Sequence, residues 1–156
     1  MKELTEKSVL ELKRFAEQIR LETVKELVEL GFGHVGGCMS ICELLSVLYS
    51  EVMNVHSDDP ANSERDILIC SKGVDMTTGS LGPGLSAGAG AALGLRIDGR
   101  DNHVYVILGD GELQEGQVWE AAMAAAQYRL SNLIAFVDHN KLQINGDVEK
   151  INGVED

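Results

Sequence analysis

The sequence predicts an α/β fold, a three-layer α/β/α arrangement around a mostly parallel sheet, and three observations carry that prediction. Val104–Leu108 is a continuous apolar run between polar flanks, the pattern of a strand buried on both faces. Leu133–Val137 is a second such run. Between them lies an Ala-rich helical stretch, Gln114–Arg129, so the order strand, helix, strand calls for a right-handed crossover and parallel pairing.

The remaining elements follow in chain order. From Thr5 to about Leu30, Val9, Leu12, Phe15, Ile19, Leu27 and Val28 recur at helical spacing with charges between them, which predicts a helix with one buried stripe. Gly31, Gly33, Gly36 and Gly37 interrupt it, so GFGHVGG reads as a loop carrying His34 and joining a second helix over Ser40–Val52. Asp58–Arg65 is a polar connection, and Ile67–Cys70 a short buried strand. TTGSLGPGLSAGAGAALGL passes from a Gly-rich loop into a helix of very small residues, which lets another backbone or a ligand come close.

Bulk properties narrow the function. The 156 residues suit about one domain, long enough for a core but short for an enzyme that encloses a large cofactor. With 25 acidic against 13 basic residues the net charge is −12, which argues against a surface that tracks nucleic-acid phosphates. Cys38, Cys42 and Cys70 are an odd set with no CxxC pair and no secretory leader, as expected in the cytoplasm. No apolar run approaches the roughly 20 residues that span a bilayer, so no membrane association is expected.

The chemistry concentrates at two strand ends. In open parallel sheets ligands bind beyond the carboxyl ends of the strands, where Asp110 and the Asp138–Asn140 segment both fall. A carboxylate, a side-chain amide and nearby backbone carbonyls are hard oxygen donors suited to Mg²⁺ or Ca²⁺, whose coordination is completed by water and phosphate oxygens. Gly109 and Gly111 let a diphosphate approach the backbone, and the helix that follows would aim its N-terminal amides at the anion. Taken singly, a Gly-Asp-Gly turn, an Asn after a strand and a histidine in a glycine loop are ordinary features. The joint pattern, with Asp110 and Asn140 separated by a complete helix and strand, is the specific signal.

At these residues the sequence resembles the thiamine-diphosphate enzymes, whose signature is a GDG followed about 30 residues later by an Asn, here Gly109-Asp110-Gly111 and Asn140. Within that superfamily GDGELQEGQVWEAAMAAAQYRLSNLIAFVDHNKLQINGDVE, TTGSLGPGLS and GFGHVGG resemble the N-terminal half of transketolase, and the likeness covers almost the whole chain. The resemblance implies a part of the diphosphate-binding domain over residues 1–156. It implies thiamine diphosphate with Mg²⁺ or Ca²⁺ as cofactors, the metal being held by Asp110, the Asn140 side chain and the Leu142 carbonyl. Gly109 and Gly111 would face the diphosphate, and Gly79, Ser80 and Leu81 the thiazolium and pyrimidine rings. His34 would contact the sugar and Glu115 would belong to the subunit interface. The implied reaction moves a two-carbon ketol unit from a ketose phosphate to an aldose phosphate, as in the pentose phosphate pathway, with the cofactor as electron sink.

Departures from the family pattern shape the rest of the expectation. The family has a histidine directly after SKG and a further helix and loop before VDMTTGSLG, whereas here Val74 follows Gly73 at once, a difference of a few dozen residues. Two contributors to proton transfer and diphosphate binding therefore have no counterpart. Phe32 and Val35 stand where a small residue and a proline are common. The pyrimidine-binding domain, which supplies the activating glutamate, would come from a C-terminal subunit or domain on another chain, in a homo- or hetero-oligomer such as a dimer. Two alternatives stand beside an enzyme component: a non-catalytic relic or fragment that keeps the fold, and a deoxyxylulose-phosphate-synthase-like enzyme, which GELQEGQVWEAAM resembles less closely than transketolase.

Overall fold

The computed structural model describes residues 5–33, 35–70, 81–143 and 146–152, and the chain forms two compact units, Met1–Met53 and Asn54–Asp156. In the first unit, α1 runs over Glu6–Leu30. It starts where predicted because Thr5 caps it, its hydroxyl accepting from the Ser8 N–H at 3.2 Å, and it stops at Gly31, whose left-handed φ of 73° closes the last turn onto the Leu27 carbonyl. α2 (Val35–Ser40) and α3 (Cys42–Val47) follow, the latter running into a π-helical turn, Leu48–Val52. The glycine loop is thus shorter than expected: Val35, Gly36 and Gly37 belong to α2. The single predicted helix over Ser40–Val52 is divided at Ile41. Ser46 ties α3 to α1 by donating to the Leu12 carbonyl at 2.7 Å.

The predicted buried stripe of α1 is not buried. Ala16 is its single fully buried residue, while Leu10, Phe15, Leu21 and Val28 remain exposed. The reason is geometric: within this unit its packing partners are two six-residue helices, too short to cover a 25-residue rod.

The second unit holds a parallel sheet in the order β1 (Ile67–Cys70), β2 (Val104–Gly109), β3 (Leu133–Asp138). The crossovers carry α4 (Pro83–Ile97) and α5 (Gly116–Gln127), which pack against each other. Val104, Val106 and Leu108 of the central strand join Ile69, Leu85, Ala92, Val118, Ala121 and Leu130 in one core. Tyr105 and Ile107, on the opposite face, are buried as well. β2 is therefore buried on both faces, as the apolar run predicts. β3 is not: Ala135 and Val137, which share one face, are exposed because α4 packs mainly on β2 and leaves that face of β3 partly uncovered. The small residues of α4 have a visible purpose at Gly88, where a Cβ would sit 2.5 Å from Val106 Cγ2, so only glycine lets the helix lie this close to the sheet. A small antiparallel pair, β4 (Leu142–Gln143) with β5 (Gly146–Asp147), and α6 (Val148–Asn152) follow. No helix among the described residues is long and apolar enough to cross a membrane.

Candidate cofactor site

The in-register pairing of β2 with β3 sets Gly109 beside Asp138, so the two strands end together. Asp110 is the next residue of the chain and is only 5% exposed. One of its oxygens accepts from the Gly111 N–H at 2.8 Å and the other from the Lys141 N–H at 2.6 Å, while its own N–H donates to the Asp138 carbonyl at 3.3 Å. The carboxylate thereby fastens the turn after β2 to the turn after β3. Lys141 takes φ = 61°, a left-handed backbone unusual for a residue with a side chain, and in that conformation its N–H faces Asp110.

Asn140 is exposed at the same turn. Its amide nitrogen donates to Asp138 Oδ2 at 3.0 Å, and its Oδ1 accepts from the Leu142 N–H at 2.8 Å. Leu142 opens β4. Asp110, Asn140 and Leu142, predicted as ligands from different elements, therefore meet in one locality at the carboxyl edge of the sheet. No cluster of three His, Cys, Asp or Glu side chains that could hold a metal exists among the described residues. A cation here would depend on one carboxylate with amide and carbonyl oxygens, a hard donor set suited to Mg²⁺ or Ca²⁺. Each Asp110 oxygen accepts one of these N–H bonds and has a second lone pair to offer, so the residues present fit such an ion.

Other expected residues fall as follows. Gly109 ends β2 with open space where a Cβ would project. Gly111 is buried and starts a 3-10 turn, Gly111–Gln114, that separates Asp110 from α5. The helix expected over Gln114–Arg129 runs over Gly116–Gln127, two residues shorter at each end, and Asp110 caps the 3-10 turn, already engaging the Gly111 N–H. Glu115 is exposed in the position before α5, without a side-chain capping bond. Leu81 is half-buried next to Gly82. His34, Gly79 and Ser80 lie outside the described residues.

Sequence reasoning missed Glu112. It is 2% exposed, and its two carboxyl oxygens accept from the Gly82 N–H at 2.8 Å and the Gly109 N–H at 3.3 Å. The available signal was an acidic residue directly after a strand-end Gly-Asp-Gly.

Comparison with known proteins agrees with this geometry. Residues 68–156 match the family described as transketolase, thiamine diphosphate binding domain. The chain is 40% identical over 188 positions to a 6-deoxy-6-sulfo-D-fructose transketolase subunit of Clostridium sp., covering 94% of this chain and 68% of that protein. It is 38% identical over 135 positions to transketolase-like protein 1 of Bos taurus, covering 84% of this chain and 23% of that protein. The solved structure of a Pichia stipitis transketolase mutant superposes with a TM-score of 0.80 at 26% identity, over 93% of this chain and 29% of that one. The clostridial alignment has 188 positions and this chain 156 residues, so at least 32 positions of the relative find no counterpart here. The bovine alignment, with 135 positions over 84% of 156 residues, is nearly free of such gaps. With the domain match spanning more than half its length and a subunit 40% identical to it, this chain belongs to the transketolase family.

Proposed function

We propose that the chain is the diphosphate-binding component of a thiamine-diphosphate-dependent transketolase, moving a two-carbon ketol unit from a ketose phosphate to an aldose phosphate. The observation that carries this reading is Asp110, a buried carboxylate held between the Gly111 and Lys141 N–H groups where two parallel strands end. Asp110, the Asn140 side chain and the Leu142 carbonyl would hold Mg²⁺ or Ca²⁺, and Gly109 and Gly111 would face the diphosphate. When bound, the cofactor supplies an electron sink that no protein side chain offers. The chain's own residues bind and orient it: Asp110 brings negative charge to the metal, and the hydrogen bonds to Asp110 and Asn140 limit their movement. Leu81, with Gly79 and Ser80, would lie against the cofactor rings, His34 against the sugar, and Glu115 at an interface with a second subunit. A pyrimidine-binding domain on another chain would complete the site, in the cytoplasm. The clostridial relative is named as a subunit, which agrees with a divided enzyme.

A second reading is a non-catalytic member that keeps the fold. It is favoured by the 32 or more relative positions without counterpart here. Calorimetric titration with thiamine diphosphate separates the two. On the first reading heat is released with Mg²⁺ present and disappears with chelator, and Asp110→Asn, which keeps a hydrogen-bond acceptor but loses the charge, removes the metal dependence. Binding that survives Asp110→Asn unaltered would refute the metal assignment, and no binding by the unsubstituted chain would favour the second reading. Asp110→Ala is the poorer variant, because it leaves the Lys141 N–H without its acceptor, at a cost of about 1–3 kcal/mol.

A further inference from the structure

The geometry points to Glu112 as a positioning residue that locks the start of α4 to the end of β2, so that Leu81 and Gly82 keep a fixed place relative to the strand end. Its side chain is among the largest fully buried ones of the described residues, unusual for a glutamate, since burying a carboxylate is costly unless its oxygens are bonded. Both are. Oε1 accepts from Gly82, the residue before Pro83 opens α4, and Oε2 accepts from Gly109, the last residue of β2. One side chain therefore spans two backbone segments that lie 27 positions apart and belong to different elements.

The surroundings are shaped for this role. Gly82 has φ = 99°, a conformation that side-chain-bearing residues rarely adopt, and a Cβ there would come within 3.3 Å of Glu115 Cβ and 3.4 Å of Gln117 Oε1. The start of α5 thus closes over the same glycine, and Gln117 also donates to Ser86 Oγ of α4 at 3.3 Å. Asp110 sits between Gly109, held by Glu112, and Gly111, held by Asp110 itself. Turned toward Gly82 and Gly109, the Glu112 carboxylate holds the start of α4 against the strand end, while Asp110 is held separately by the Gly111 and Lys141 N–H groups. This inference rests on the proposed cofactor site, in which the strand end takes the metal and diphosphate and Leu81, next to Gly82, lies against the rings.

That division of labour gives the test. Glu112→Gln and Glu112→Ala are compared with the unsubstituted protein for binding of two probes by calorimetry, Mg²⁺ with inorganic pyrophosphate and Mg²⁺ with thiamine diphosphate. Pyrophosphate needs only the strand end, so its affinity should stay within about twofold. Thiamine diphosphate should weaken by about 10- to 100-fold in Glu112→Ala, the loss typical when a group that orients site ligands is removed, and by less in Glu112→Gln, which retains an acceptor. Amide hydrogen exchange at Gly82 should accelerate in the same order. Equal loss for both probes would mean general unfolding and overturn the positioning role, as would unchanged thiamine diphosphate binding in both variants. Failure of the unsubstituted protein to bind either probe would overturn the cofactor site itself and this inference with it.

Discussion

Gly88→Ala tests how closely α4 lies on the sheet. In an exposed helix interior, glycine to alanine stabilises by about 0.8–1.0 kcal/mol, because alanine loses less backbone freedom on folding. At Gly88 the added Cβ would stand 2.5 Å from Val106 Cγ2 and 3.3 Å from Leu133 Cδ1. Ordinary contact begins near 3.4 Å, so helix and strand must separate by about 1 Å. Val106 is fully buried in the central strand and β-branched, with little rotamer freedom to yield. Overpacking of this kind costs about 1–3 kcal/mol, which exceeds the propensity gain over most of that range. The control is Gly90→Ala on the same helix, where nothing lies within 4 Å of the new Cβ and the propensity gain should appear alone. The two variants should therefore differ by about 1–3 kcal/mol, Gly90→Ala unfolding at higher urea and Gly88→Ala at lower. Midpoints that move together, by the same amount, would refute the packing of α4 onto β2.

Two further outcomes are expected. Lys141→Gly should relieve the left-handed backbone at φ = 61° and raise stability by about 1 kcal/mol without weakening cofactor binding, whereas Lys141→Val should lower both, measured by urea denaturation and calorimetry. Tyr105 has its phenol pKa raised above the usual 10.0, first by burial and then by the nearby Asp66 charge. Its contribution is fully present below the unfolded-state value and is lost as pH rises through the higher folded-state value. Stability should therefore fall above about pH 10 less steeply in Tyr105→Phe, read from urea midpoints across an alkaline series.

The sequence made some elements legible and hid others for definite physical reasons. Thr5 and Gly31 bracket α1 to within a residue, because capping chemistry is local. Ile67–Cys70 and the start of β2 were equally readable from their apolar runs. The half-exposure of β3 was not, since its composition matches that of β2 and which strand the helices cover is a property of the whole fold. The glycine-rich start of α2 was read as loop because propensity argues against a helix there. At the candidate site, the meeting of Asp110 with the turn after β3 was legible because both follow strand ends that parallel pairing brings together. Glu112 was not, because no periodicity tells a carboxylate facing water from one turned inward onto two backbone amides.

The exposed border of the parallel sheet has a practical side. Among the described residues only β2 has a strand on each flank, and β3, the last strand in the order, carries the exposed Ala135 and Val137. Such borders are templates for the wrong neighbour when molecules crowd together. Against this the chain sets a net charge of −12, which keeps copies apart in dilute salt and is screened over about 10 Å at 0.1 M ionic strength. Its colloidal behaviour is thus a contest between a sticky seam and an acidic coat, and added electrolyte shifts that contest toward the seam.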